Sequence, residues 1–94
     1  MKEVTAKITG NNNLLGKFEL EHGETGVVTQ YGKDIKSVTF SLKEGTKYYI
    51  GIVVYGDDDQ KYKIEISGAT TTQYPTSEMT LDNGYDDIVA KVVV

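Results

Sequence analysis

The sequence predicts an all-β fold, a two-sheet antiparallel β-sandwich of two tandem Greek key motifs, from three observations. Apolar and polar residues alternate with period two along most of the 94-residue chain, the spacing at which successive side chains of a strand reach opposite faces. Clusters of Gly, Asn and Asp interrupt that alternation at intervals of roughly 8 to 12 residues, the punctuation of a sandwich or small barrel. The chain also matches itself when slid along its own length. Residues 1–94 are long enough for one domain with a modest core, burying about 60 to 65% of the surface that the unfolded chain exposes.

The elements follow in order. Val4, Ala6 and Ile8 alternate with Thr5, Lys7 and Thr9, and Phe18 and Leu20 alternate with Lys17, Glu19 and Glu21. Val38, Phe40 and Leu42 alternate with Ser37, Thr39 and Ser41. Each run sends one face inward. Tyr48 to Tyr55 is apolar on both parities, which predicts a central strand covered on both sides or one with a face that meets a partner. Tyr62, Ile64 and Ile66 alternate with Lys61, Lys63 and Glu65, and a last strand runs from Ile88 to Val94. Turns are expected at Gly10–Asn13, His22–Glu24, Gly32–Asp34, Lys43–Gly45, Gly56–Asp59 and Asp82–Gly84. Gly68 to Ser77 lacks alternation and reads as a connecting loop.

Composition narrows the chemistry. Without Cys there is no disulfide framework, thiolate metal site or cysteine nucleophile. All ten basic residues are Lys, against fourteen Asp and Glu, for a net charge of −4. A nucleic-acid reader carries a basic face and Arg forks, so nucleic acid is not the expected partner; cations or a basic protein are. The start, Met1-Lys2-Glu3-Val4-Thr5, has no apolar targeting core, and no run approaches the ~20 apolar residues of a membrane span, so no membrane partner is expected. A cytoplasmic location is the default, and a module excised from a longer secreted chain would read the same.

At an offset of 46, Lys7–Leu20 falls over Val53–Ile66 without a gap: Gly10 meets Gly56, Lys17 meets Lys63, Glu19 meets Glu65, and Asn11, Asn12 and Asn13 meet Asp57, Asp58 and Asp59. At an offset of 54, Tyr31–Phe40 falls over Tyr85–Val94. Two motifs of about 45 residues, 1–44 and 45–94, would pair as Greek keys, since neither could bury its apolar face alone. With its corner Thr9 to Gly16 and its closing stretches Gly32 to Ser37 and Asp86 to Lys91, the chain resembles the microbial βγ-crystallin domains. It departs from their pattern at Tyr62, where a glycine is expected, and in both closing stretches.

The resemblance implies calcium between the first hairpin loop of one motif and the closing stretch of the other. That would pair Asn11, Asn12 and Asn13 with Asp86 and Asp87, and Asp57, Asp58 and Asp59 with Asp34 and Ser37. Calcium takes six to eight oxygen ligands, and such clusters could supply them. Ala90 replaces a hydroxyl ligand in one set, and Lys33 opposes a cation in the other. The alternative reading makes Asp57–Asp59 a solvated turn that protects an edge, and Asp86 and Asp87 turn acids at the start of a strand.

Catalytic signals are sparse. The single His22 lies in a turn beside Gly23, and no nucleophile elbow, phosphate loop or zinc pattern occurs. The sequence therefore predicts a non-enzymatic domain. Of the seven Tyr, an outward row of Tyr49, Val53 and Tyr55 would suit a protein or carbohydrate partner, while the plainer reading buries the rings and leaves the hydroxyls wet. Two functions are thus expected: a calcium-binding or calcium-stabilised structural sandwich, or an acidic protein-interaction module, such as an inhibitor, antagonist or adhesion domain, that needs no metal.

Overall fold

The computed structural model describes residues 1–11 and 13–94. Among these, nine strands form two antiparallel sheets and there is no helix: β1 (Lys2–Gly10), β2 (Leu15–His22), β3 (Val28–Ile35), β4 (Ser37–Leu42), β5 (Lys47–Tyr55), β6 (Lys61–Ser67), β7 (Thr71–Gln73), β8 (Met79–Thr80) and β9 (Tyr85–Val93). Four strands pair in the order β4-β1-β6-β8 and five in the order β3-β2-β5-β9-β7. No helix is long and apolar enough to cross a membrane among the described residues.

The period-two pattern sets which side of each strand is buried. Val4, Ala6 and Ile8 of β1, Phe40 and Leu42 of β4, and Tyr62 and Ile64 of β6 face Phe18 and Leu20 of β2, Ile50, Ile52 and Val54 of β5, and Ile88, Ala90 and Val92 of β9 across one continuous core. A one-residue slip of any of these strands would turn its apolar set to water, so the register is strongly specified. Burying an aliphatic or aromatic side chain of this kind stabilises the fold by about 1.5 to 3 kcal/mol.

The run apolar on both parities is β5, which lies in the middle of the five-stranded sheet. Its inner row is Tyr48, Ile50, Ile52 and Val54, all buried, whereas Tyr49, Gly51, Val53 and Tyr55 on the outer row are only partly covered.

Three sequence expectations change. The turn expected at Gly32–Asp34 lies inside β3, whose pairing with β2 shifts register at Lys17. Gly32 and Asp34 take positive φ angles of 75° and 59° there, so turn-forming residues make a bulged, bent edge strand instead of a chain reversal. The loop from Gly68 to Ser77 contains β7, whose three residues pair with β9 but are too few to reveal a period. Finally, the connections at 11–14 and 56–60 do not close hairpins: β1 and β2 belong to different sheets, as do β5 and β6. Matched alternation on both sides of a turn is equally compatible with a chain that crosses the core.

In each half the last strand returns beside the first, β4 beside β1 and β9 beside β5. Exchanging β1 with β5, β2 with β6, β3 with β8 and β4 with β9 converts the four-stranded order into β9-β5-β2-β3, the order of the other sheet without β7.

Candidate functional site

The acidic and amide residues singled out in the sequence gather where the chain crosses between sheets. Asn13 Nδ2 donates to Asp57 Oδ2 at 2.7 Å. Gln60, the one buried polar or charged residue among the described residues, links the same two loops: its Nε2 donates to Asn13 Oδ1 at 2.6 Å, and its Oε1 accepts from the Asp57 backbone N–H at 3.0 Å. Asp58 Oδ1 accepts the backbone N–H of Asp59 at 3.0 Å and of Asn83 at 2.9 Å. The 82–84 turn lies against the 56–60 loop, where Gly56 N–H donates to Gly84 O at 3.0 Å. Gly84 has φ 74°, and a Cβ there would lie 2.5 Å from Gly56 O, so this approach requires glycine. Lys36 Nζ closes the same end on Asn11 O at 3.0 Å.

Two further carboxylates hold tyrosines. Asp86 continues the inward row of β9, and its Oδ2 accepts the Tyr62 hydroxyl from the opposite sheet. Burial first, and then the bond to Asp86, push the Tyr62 phenol well above the ordinary tyrosine value, because both disfavour the phenolate. Asp34 accepts the Tyr55 hydroxyl in the same way and returns its own backbone N–H to that oxygen at 3.0 Å. The hydrogen bond to Asp34 is the chief cause of the raised Tyr55 phenol, and desolvation adds to it.

The structure therefore joins Asn13 to Asp57, Asp58 to Asn83, Asp34 to Tyr55 and Asp86 to Tyr62. No hydrogen bond joins Asn11 or Asn13 to Asp86 or Asp87, or Asp57–Asp59 to Asp34 or Ser37, among the described residues. Asn12 lies outside the described residues. Ser37 and Asp87 sit in register beside Lys7 and Val53. Among the described residues, no group of three or more His, Asp or Glu is placed to hold a metal ion. Of the carboxylates offered as cation ligands, Asp57 and Asp58 tie loops together and Asp34 and Asp86 hold tyrosines. His22 has a comparable local role: its Nδ1 accepts the backbone N–H groups of Glu24 and Thr25 at 3.2 and 3.4 Å, and its ring packs edge-on against Tyr48.

The second region is the outer face of the five-stranded sheet. Along β5 the outward residues are Tyr49, Gly51, Val53 and Tyr55, and β9 sets Lys91, Val89, Asp87 and Tyr85 beside them in register. On the other flank β2 contributes Glu21, Glu19 and Lys17 beside Tyr49, Gly51 and Val53. Val89 is 63% exposed, and Val28 and Tyr85 are 52% exposed. Gly51 leaves a depression of about 150 Å³ lined by Glu19, Glu21, Val28, Tyr49, Gly51 and Val89. A second groove, of about 310 Å³, lies between β7 and β9.

The outward row Tyr49, Val53 and Tyr55 follows from strand parity. Its partners do not: Val89, Val28 and the two glutamates come from other strands, and only pairing register brings them together. Gln60 carried no signal beyond standing, at the 46-residue offset, where Leu14 stands in the first motif, and both positions are buried. Compared with protein-family models, curated proteins and solved structures, the chain matches none.

Proposed function

We propose that this chain is a non-enzymatic protein-interaction module that presents the outer face of its five-stranded sheet to a partner protein and needs no metal to do so. One observation carries the reading: a half-exposed row of Tyr, Val and Gly on the central strand, continued by the exposed Val89 and Val28 and rimmed by Glu19, Glu21, Lys17 and Lys91, lies on one side of the sandwich. Aromatic and aliphatic residues inside a polar rim are the composition of an interface core, and Tyr is among the residues that most often dominate binding energy. The hydrogen bonds of Asn13, Asp57, Asp58 and Gln60 support a structural role for the crossing loops. The self-matching strand order supports descent from a duplicated motif, with the two outer faces diverged since.

The test is site-directed photo-cross-linking in lysate of the source cells. A photoreactive residue at Val89 is expected to capture a discrete protein, and the same residue at Lys63, on the outer face of the other sheet, is expected to capture none. Equal labelling at the two positions, or labelling only at Lys63, would falsify the reading.

A further inference from the structure

We infer that the depression over Gly51 seats a basic side chain, arginine or lysine, of the partner protein; this rests on the reading that the outer face of the five-stranded sheet is the interaction surface. Gly51 lies in the middle of β5 with no positive φ, and a Cβ built on it meets Glu19 Cβ at 3.7 Å, an ordinary contact. Neither a turn nor a close backbone approach demands glycine there, and glycine inside a strand weakens it. What the missing side chain provides is open space between Tyr49 and Val53.

The walls of that space match a long aliphatic stem ending in a cation. Val28, Val89 and Tyr49 line it with aliphatic and aromatic surface, and Glu19 and Glu21 line it from the neighbouring β2. The Tyr49 ring already takes an ammonium of this chain, with Lys47 Nζ 5.6 Å from its centroid. Glu19 is engaged by Lys17 at 3.5 Å and by Gln30 Nε2 at 3.1 Å. Among the described residues Glu21 has no ion pair and no side-chain hydrogen bond, which leaves a carboxylate beside the depression uncompensated. Lys91, across from Tyr49, lines the neighbouring groove and not this one. A volume of about 150 Å³ suits one side chain, well below the roughly 300 to 1,000 Å³ of a small-molecule site. The net charge of −4 favours encounter with a basic partner in the same sense.

The experiment pans a displayed random peptide library on the full chain and measures selected peptides against four variants, each checked for an unchanged or raised thermal midpoint. Selected peptides are expected to be enriched in Arg or Lys. Glu21→Gln should weaken them about fivefold, the double change Glu19→Gln with Glu21→Gln further, and Gly51→Val should abolish binding, while Lys63→Gln leaves it unchanged. Peptides that lose binding in Gly51→Val but carry no basic residue, or bind Glu21→Gln as well as the parent, overturn the basic occupant and leave the interaction surface standing. Peptides indifferent to Gly51→Val bind elsewhere, at an exposed strand edge for example, and count against both, as does a selection that yields no binder.

Discussion

The two sheets have equivalent inner faces and very different outer ones. On the four-stranded sheet the outward residues are Glu3, Thr5, Lys7 and Thr9 of β1, Ser37, Thr39 and Ser41 of β4, and Lys61, Lys63 and Glu65 of β6. Every one carries a hydroxyl or a charge; Thr5 and Thr39 share a hydrogen bond at 2.9 Å, and Lys7 stands in register with Glu65. On the five-stranded sheet β2 and β9 keep charges at Lys17, Glu19, Glu21, Asp87 and Lys91, but the central strand holds Tyr49, Gly51, Val53 and Tyr55 where β1 has its polar row, with Val89 beside them. Thr shows that β-branched residues can favour a strand without exposing an apolar surface. Folding therefore does not require Val53, Val89 or Tyr49 to face water, and the first sheet shows the composition that folding alone accepts.

The largest expected effect comes from making the second face resemble the first. Tyr49→Thr, Val53→Thr and Val89→Thr together should remove cross-linking from a probe at position 28, a loss of more than about 100-fold since hot-spot truncations cost roughly 2 kcal/mol or more each. The midpoint should fall by only a few degrees, about 4 to 8 °C per kcal/mol for a domain of this size. A partner captured undiminished would remove the contrast between the faces.

The crossing loops and buried tyrosine test the other half of the contrast, that the remaining polar clusters are structural. Gln60→Ala leaves the Asp57 N–H and Asn13 without their partner and should cost about 1 to 3 kcal/mol in denaturant unfolding, without altering partner capture. Tyr62→Phe removes the bond to Asp86 and should cost about 1 to 2 kcal/mol at neutral pH. Because the folded-state phenol is raised, its stabilisation is full below the unfolded value of about 10 and is lost as pH rises from there toward the folded value. The stability difference between wild type and Tyr62→Phe should therefore shrink above about pH 10; a constant difference across the alkaline range would assign the cost to packing alone. The smallest effect is expected from calcium: millimolar calcium and chelator should give midpoints within about 1 °C, whereas a ligand at a hundredfold excess over its Kd would add about 2.7 kcal/mol.

Much of the fold was legible because burial follows local parity. Val4, Phe18, Phe40, Tyr62 and Ile64 all lie inward as the alternation predicts. What local pattern does not encode is the sheet to which a strand belongs. The connections from β1 to β2 and from β5 to β6, read as hairpin turns, are crossings between sheets, and Asn13 of the one meets Asp57 and Gln60 of the other across the end of the sandwich. For the same reason the tyrosine row was visible while its flanks were not: Glu21, Glu19 and Val89 reach Tyr49 and Gly51 only through the pairing of β2 and β9 with β5. Asp86 was legible as an acid at the start of a strand, but its inward parity, one step below Ile88, already pointed it at the core rather than at solvent.

The most direct test of the central claim is Gly51→Val, followed by both thermal melting and partner capture. A Cβ there meets only ordinary contacts, the nearest Glu19 Cβ at 3.7 Å, so the variant should gain about 0.5 to 1 kcal/mol of stability from the strand while losing the partner. A variant that is more stable and still captures it would contradict the account.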